Sequence, residues 1–163
     1  MRPKIISNNS NPAIVALTAN VTAAEGTPTP IMTVTVPDGT AYAWMNASSV
    51  RGKAEAGAHV ITDLRKSDGT KISPASRVVF AVQGVQDELP RFIRAIPYGV
   101  WYDMTTTQQR SDDYKYGIVS ALNLNVPVGI DLQPKDKLLI MLDGPDAVDW
   151  GKSTLELIVQ ERN

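Results

Sequence analysis

The chain has 163 residues, of which 43% are hydrophobic and 20% are charged, so it is long enough to fold as one domain around its own core. Its 16 Lys and Arg residues nearly balance its 17 Asp and Glu residues, and a net charge of −1 provides no broad positive surface for nucleic acid or an anionic membrane. The chain contains no cysteine, which excludes disulfides, thiolate chemistry and cysteine-bound metal centres.

The first twelve residues predict an extended arm. They end in the polar run Ser7-Asn8-Asn9-Ser10-Asn11-Pro12, and Asn, Ser and Pro favour turns over helices and central strands. The apolar pair Ile5-Ile6 is too short for a signal peptide, and no apolar run in the chain is long enough to span a membrane. We therefore expect an extended N-terminal arm at residues 1–12, a single β-sandwich domain at residues 13–163, and synthesis in the cytosol.

Short segments with strand patterns follow one another along the rest of the chain. Apolar and polar residues alternate in several of them, as in Ile31-Met32-Thr33-Val34-Thr35-Val36, which is the pattern of a half-buried strand. The apolar run Val78–Val82 predicts a central strand that is covered on both faces. Turn sequences such as Pro37–Thr40 and Ser67–Thr70 separate the strands. The predicted strands lie within residues 14–22, 31–36, 41–45, 59–64, 78–82, 92–96, 116–126, 137–142 and 154–159.

One short helix, within residues 105–113, is the only clear helical prediction. Polar loops at Leu132–Leu138 and Asp143–Ser153 precede the last two strands, and such loops are typical of Greek-key crossings between two sheets. Many short strands with frequent turns favour a sandwich or a jelly roll. The predicted fold class is all-β, a jelly-roll-like antiparallel β-sandwich with an extended N-terminal arm.

Residues suited to catalysis are few. His59 is the only histidine, and it lies in a predicted strand with Asp63 on the same face, without the positioned partners that general-base catalysis needs. Asp112 and Asp113 have cationic neighbours, which indicates a solvated cluster of charges more than a pair of catalytic carboxylates. We predict a binding protein and not an enzyme, with no catalytic residue and no cofactor.

Calcium is the one metal ion with some support in the sequence. Asp143, Asp146 and Asp149 recur every three residues on a loop that contains glycine, and Ca²⁺ prefers oxygen ligands of this kind. The spacing is not that of an EF-hand, no bidentate glutamate closes the loop, and aspartates that merely solvate a turn are far more common. No metal site is predicted, and calcium binding by this loop stays an open alternative.

An aromatic cluster follows the predicted strand at residues 92–96. Tyr98, Trp101 and Tyr102, with Phe92 nearby, form a dense amphipathic patch. Such residues either close the end of a sandwich core or anchor a partner protein, and a sugar-binding surface is a third interpretation. The sequence leaves these alternatives open.

Several segments, spread over most of the chain, follow one another in an order that is similar to that of a known protein family. They are the hydrophilic arm Met1–Pro12, Pro37–Thr40, Leu64–Thr70, Ile96–Gln109 with Trp101-Tyr102-Asp103, Leu132–Leu142 and Val148–Thr154. In this order they resemble the small jelly-roll capsid proteins of tailed phages and related prokaryotic viruses, and above all the trimeric decoration (cement) proteins on the outer shell. None of the segments is a diagnostic motif.

The resemblance implies a structural protein of the virion that binds the outer capsid surface as a homotrimer and stabilises the shell. Its partners would be the major capsid protein and other copies of the chain, with no nucleic acid and no membrane. A single jelly-roll major or minor capsid protein and a carbohydrate-binding or tail-fibre module are the alternatives. The residues expected to contact a partner are Arg2, Lys4, Ile5, Ile6, Arg91, Phe92, Tyr98, Trp101 and Tyr102.

Overall fold

Ten β-strands and one short helix make up the part of the chain that the computed structural model describes, which is residues 2–18, 26–44, 60–101 and 130–162. In chain order the strands are β1 (Arg2–Ser7), β2 (Val15–Leu17), β3 (Thr29–Thr35), β4 (Ala41–Trp44), β5 (Val60–Asp63), β6 (Arg77–Gln83), β7 (Arg91–Pro97), β8 (Ile130–Leu132), β9 (Lys137–Asp143) and β10 (Thr154–Arg162). A one-turn 3-10 helix, Tyr98–Trp101, follows β7. The strands form two antiparallel five-stranded sheets, and no helix in these residues is long and apolar enough to cross a membrane.

Strand β10 is the centre of the first sheet. β1 pairs along one edge of β10, with Arg2 opposite Glu161. The other edge is shared by β5, which pairs with Thr154–Leu157, and by β4, which pairs with Gln160–Arg162. β8 lies outside β4. The first and the last strand are therefore neighbours, and β1 and β5 lie on opposite sides of β10.

The second sheet has the strand order β2-β3-β9-β6-β7, so β2 and β7 are its two edges among the described strands. β6 pairs on both sides, with β9 and with β7, as its near-continuous apolar sequence predicts. Val78, Phe80 and Val82 belong to the core between the sheets, whereas Val79 and Ala81 are buried in a separate cluster. Both faces of β6 are thus apolar, which explains why its sequence does not alternate.

The main core lies between the two sheets, where alternate residues of the strands meet. Its largest fully buried side chains are Tyr42, Tyr98, Phe80, Ile6, Ile31, Met32, Leu64, Ile72 and Ile96. Burying an aliphatic or aromatic side chain of this size stabilises a fold by about 1.5–3 kcal/mol relative to leaving it exposed. Both sheets contribute, and so do Leu64 and Ile72, which flank the turn after β5.

Two predicted turns have the backbone conformation that they require. Gly39 and Gly69 have φ angles of 79° and 85°, in the left-handed region that glycine adopts without steric cost. The all-β antiparallel fold class is confirmed, and each strand predicted at least partly within the described residues overlaps an observed strand. The helix predicted within residues 105–113 and the strand predicted within residues 116–126 lie outside the described residues.

The N-terminal segment differs from the prediction. An arm is expected at residues 1–12, but Arg2–Ser7 form strand β1 of the first sheet. Asn8 then fixes the end of this strand: its side-chain amide donates to the Ser153 carbonyl at 2.9 Å, and its side-chain oxygen accepts the Leu155 N–H at 3.0 Å. The segment is extended, as predicted, but it is a paired strand and not a separate arm, because β10 supplies main-chain partners from the far end of the sequence. β8 is a second strand that the sequence analysis missed.

Candidate protein-binding surface

The predicted contact residues that the structure describes lie in two separate parts of the sandwich. The residues predicted in the arm lie on β1. Residues 8–14 connect β1 to β2, which is one edge of the second sheet. Arg91 and Phe92 begin β7, the other edge of that sheet. β7 leads into the 3-10 helix, in which Tyr98 contacts Leu64, the residue after β5. β5 and β1 lie on opposite sides of β10, so this contact is far from β1. We call these two surfaces the β1–β2 edge and the β7 edge.

Two of the predicted contact residues are core residues instead. Ile6 and Tyr98 are both 0% exposed, because the two sheets enclose them. The Leu64 main-chain N–H donates to Tyr98 Oη at 2.7 Å, which ties the helix after β7 to the first sheet. The assignment of Ile6 and Tyr98 to a partner surface is therefore corrected. Outside the described part of the chain lie Tyr102 and the side chains of Arg2 and Trp101.

Lys4 is held against the fold. Its Nζ lies 3.2 Å from Glu161 Oε2 and 5.7 Å from the centre of the Tyr42 ring. Burial acts to lower the pKa of Lys4, but the hydrogen bond to Glu161 and the attraction of Tyr42 and Glu161 raise it above its ordinary value. The ion pair compensates a glutamate that is only 7% exposed, so Lys4 has a structural task in addition to any contact that its exposed part makes.

The β6–β7 hairpin presents the most exposed large apolar side chains of the described residues. Val85, Leu89 and Phe92 are 60%, 79% and 60% exposed. Within the loop, the Gly84 N–H donates to Asp87 Oδ2 at 2.8 Å. Apolar residues grouped on an exposed loop are typical of a protein-binding surface. The sequence analysis found Phe92 and missed Val85 and Leu89, although two aliphatic residues within a polar turn are a visible signal.

A groove of about 370 Å³ lies beside Phe92 on the second sheet. The register between β6 and β7 shifts next to Ala81, so that Phe92 lies opposite Ala81, whose side chain is outside the main core. Phe92 thus forms one wall of the groove. The described residues that line it are Gly26, Pro28, Arg77, Val79, Phe92, Ile93 and Ala95.

Asp143 connects the loop at Gly26 to β6 next to this groove. Its Oδ1 accepts the Gly26 N–H at 2.6 Å, and its Oδ2 accepts a hydrogen bond from the Arg77 guanidinium. The hydrogen bond from Arg77, followed by that from Gly26, lowers the pKa of Asp143 below its ordinary value. The carboxylate therefore has a structural role, since it fixes one side of the groove relative to the other.

The other two aspartates of the candidate calcium loop also accept hydrogen bonds from the main chain. Asp146 Oδ2 accepts the Ser73 N–H at 2.7 Å, and Asp149 Oδ1 accepts the Gly151 N–H at 2.9 Å. Each of the three carboxylates thus binds a different main-chain donor. Within residues 2–18, 26–44, 60–101 and 130–162, no group of three or more acidic or histidine side chains is placed to hold a metal ion.

Replacing Asp143 by asparagine is expected to destabilise the fold by about 1–3 kcal/mol at neutral pH, because it removes the charge of a buried carboxylate from its partly buried hydrogen bond to Arg77. The lowered pKa means that this stabilisation is present above the unfolded pKa of about 3.9 and is lost as the pH falls through the folded value. Urea denaturation at neutral pH and at roughly pH 3 measures both effects.

The matched control is Asp38→Asn, because Asp38 is exposed and lies 3.8 Å from the equally exposed Lys135. This control should change the free energy of unfolding by less than about 1 kcal/mol. An Asp143→Asn loss that is the same at both pH values would contradict the role assigned to the carboxylate.

The side chain of Trp150 makes contacts within the fold as well. Its indole N–H donates to the Thr18 carbonyl at 3.0 Å, and its ring packs against the core. No observation favours a sugar-binding surface at this residue. Several other candidates lie outside the described residues, namely His59, Asp112, Asp113 and the side chain of Trp44.

The strand order and the two-sheet core define the class of antiparallel β-sandwich proteins. No protein family and no curated protein matches the sequence. Among solved structures, the fold is similar to the VP16-VP17 complex, a complex of the two major capsid proteins of bacteriophage P23-77, with a TM-score of 0.52 and 7% identity. The match covers 98% of this chain and 97% of that chain. The fold is therefore similar to that of a viral capsid protein.

Proposed function

We propose that this chain is a structural protein of a virion, and that it binds the outer surface of the capsid shell as a decoration (cement) protein. The observation that supports the proposal is the similarity of the fold, over nearly the whole chain, to a capsid protein of a bacteriophage. The partners in this proposal are the major capsid protein and other copies of the chain in a homotrimer. It assigns no catalytic residue and no cofactor.

Phe92 and the groove beside it form the surface that we assign to the shell contact. An exposed aromatic side chain at the wall of a groove is suited to anchor a partner, because it buries a large area when the partner fills the groove. Arg91 is exposed at the start of the same strand, but it lies opposite Val82 whereas Phe92 lies opposite Ala81, so its cation is on the other face of β7 and outside the groove. With a net charge of −1, the chain does not rely on a broad field of charge either.

A single jelly-roll major or minor capsid protein is the second candidate. The same comparison favours it, because the similar solved structure is itself a complex of major capsid proteins. The two roles differ in what the shell does without the chain. A decoration protein is added to a shell that closes on its own, whereas a major capsid protein forms the shell.

Deleting the gene from the virus that encodes the chain separates the candidates. We expect closed particles that release their genome at a lower temperature and that regain wild-type stability when the purified protein is added back. A complete absence of particles identifies the major capsid role. Wild-type particles that never contained the chain would overturn the structural role altogether.

Phe92→Ser is expected to weaken rebinding to the deleted particles by about tenfold or more, because an aromatic anchor commonly contributes more than 1.4 kcal/mol. Sedimentation of particles with labelled protein measures the affinity. The control is Ser67→Asp, on an exposed turn outside the groove, which should bind like the unmodified protein. Equal binding by both variants would remove Phe92 from the shell contact.

A further inference from the structure

Aspartate is followed by glycine at three places in the chain, and all three lie within the described residues. The pairs are Asp38-Gly39, Asp68-Gly69 and Asp143-Gly144. Such a pair rearranges without an enzyme when the main-chain nitrogen of the glycine reaches the carboxyl carbon of the aspartate, because glycine has no side chain to hinder the approach. The reaction requires that both groups can move into contact. The three pairs differ in how the fold holds these two groups.

Both reacting groups of Asp68-Gly69 are held by hydrogen bonds within their turn. Asp68 Oδ1 accepts the Thr70 N–H at 3.0 Å and the Thr70 hydroxyl at 2.6 Å. The Gly69 N–H donates to the Lys66 carbonyl at 2.9 Å. The hydroxyl and then the N–H of Thr70 lower the pKa of Asp68 below its ordinary value, which leaves less of the protonated carboxyl group that can lose water.

The carboxylate of Asp143-Gly144 is held by bonds to two other segments. Asp143 is only 4% exposed, and each of its two oxygens accepts a hydrogen bond, one from the Gly26 N–H and one from the Arg77 guanidinium. Turning the carboxyl group toward the Gly144 nitrogen would break both bonds. This pair is therefore restrained by the tertiary structure, and Asp68-Gly69 by its own turn.

Asp38-Gly39 has neither kind of restraint. The Asp38 side chain is 77% exposed, and its ion pair with the exposed Lys135 spans 3.8 Å, so it restrains the carboxylate weakly. The turn closes through Thr40, whose N–H and hydroxyl donate to the Pro37 carbonyl at 3.4 Å and 3.1 Å. Within the described part of the chain, the Gly39 N–H donates no hydrogen bond.

We propose that Asp38-Gly39 is a site of spontaneous isomerisation in the folded protein, and that the fold protects the other two pairs. The Gly39 nitrogen bonds to Asp38 Cγ; the nitrogen loses its proton and the carboxyl group its hydroxyl, so one water molecule leaves and a cyclic imide forms. Water then adds to one of the two ring carbonyl carbons. Breaking the bond from nitrogen to Cγ restores aspartate. Breaking the bond from nitrogen to the main-chain carbon leaves isoaspartate, in which the chain runs through Cγ.

The product would change the connection between the two sheets. Residues 37–40 join β3 of the second sheet to β4 of the first sheet. Isoaspartate places one additional carbon in the main chain between Asp38 Cα and the Gly39 nitrogen, and it keeps a carboxylate, so the change is one of geometry and not of charge. This chemistry is independent of the proposed function, because it involves only the chain and water.

Trypsin separates the three pairs for measurement. Cleavage after lysine and arginine yields the peptides 5–51, 67–71 and 138–152, and each contains a single Asp–Gly pair. The full chain is kept for several weeks at neutral pH and body temperature, folded in one sample and unfolded in concentrated urea in another. Chromatography separates an isoaspartate peptide from the aspartate peptide of equal mass, and electron-transfer fragmentation locates the altered residue.

In the folded sample we expect Asp38 to isomerise at least about tenfold faster than Asp68 or Asp143, because misplacing the reacting groups slows a reaction by such factors. In urea the three rates should converge. The control is Asp38→Glu, which keeps the charge but lengthens the side chain, and residues 5–51 of this variant should contain no isomerised acidic residue.

Two results in the folded sample would overturn the proposal, namely an unchanged Asp38 or equal rates at the three pairs. A difference between the pairs that persists unchanged in urea would also overturn it, because the local sequence and not the fold would then set the rates. No shell is present in this experiment, so its outcome is distinct from that of the shell-binding experiments.

Discussion

Replacing Ile6 by alanine is expected to lower the free energy of unfolding by about 2–5 kcal/mol, whereas the same change at its neighbour Ile5 should cost about 1 kcal/mol or less. Ile6 lies opposite Leu157 on the core side of β1 and is 0% exposed, so truncation leaves a cavity between the sheets. Ile5 points to the other face and is 51% exposed. Urea denaturation followed by circular dichroism measures both values.

This pair of variants also decides the status of the N-terminal segment. If residues 2–7 were an arm outside the sandwich, both substitutions would have the same small effect on the isolated protein. A difference of several-fold between them requires β1 to be part of the sheet. Equal effects would contradict the pairing of β1 with β10 and would restore the arm that the sequence suggests.

Replacing Tyr98 by alanine is expected to cost about 3–5 kcal/mol, and replacing it by phenylalanine about 1–3 kcal/mol. The alanine variant removes a fully buried ring. The phenylalanine variant keeps the ring and removes only the oxygen that accepts the Leu64 N–H, which leaves a buried donor without that acceptor. Comparing the two unfolding free energies separates packing from hydrogen bonding, and a Tyr98→Phe variant as stable as the unmodified protein would show that the hydroxyl contributes nothing.

The hydroxyl of Tyr98 also predicts how stability depends on alkaline pH. Burial raises the pKa of Tyr98 to about 12, because the fold accepts the phenol in its neutral form. The stabilisation tied to that neutral form is fully present below the unfolded pKa of about 10 and is lost as the pH rises toward the folded value. The difference in stability between the unmodified protein and Tyr98→Phe should therefore shrink above about pH 10, and a constant difference would contradict this assignment.

The local sequence was sufficient to predict the positions of most strands, but it was not sufficient to predict which strands pair with each other. The alternation within β3 and the apolar run of β6 reflect which faces of each strand are buried, and both features are readable from neighbouring residues. The pairing of Arg2 with Glu161 joins the two ends of the sequence, and no local pattern contains that information. β8 has only three residues, Ile130–Leu132, which is too short for alternation to be recognised.

The candidate surface was predicted only in part, because burial within the aromatic segment depends on geometry. Phe92 and Tyr98 lie six residues apart, and one is 60% exposed while the other is 0% exposed. A register shift in the β6–β7 pair and the turn after Pro97 decide which ring faces the core. The sequence contains both aromatic residues but not the shift. Val85 was missed for a related reason, since the conformation of its loop depends on the bond between Gly84 and Asp87.

The pairing of β1 with β10 determines how the sandwich responds to mechanical load. Because Arg2 lies opposite Glu161, anything attached before β1 and after β10 leaves the domain at the same point. A pulling force applied through both attachments would separate the six residue pairs of β1 and β10 one after another, instead of breaking all of their hydrogen bonds at the same time. The strands therefore resist tension poorly along this direction. A force that shears neighbouring strands past each other must break many hydrogen bonds at the same time. We therefore expect this domain to unfold at a lower force when it is pulled through its two terminal strands.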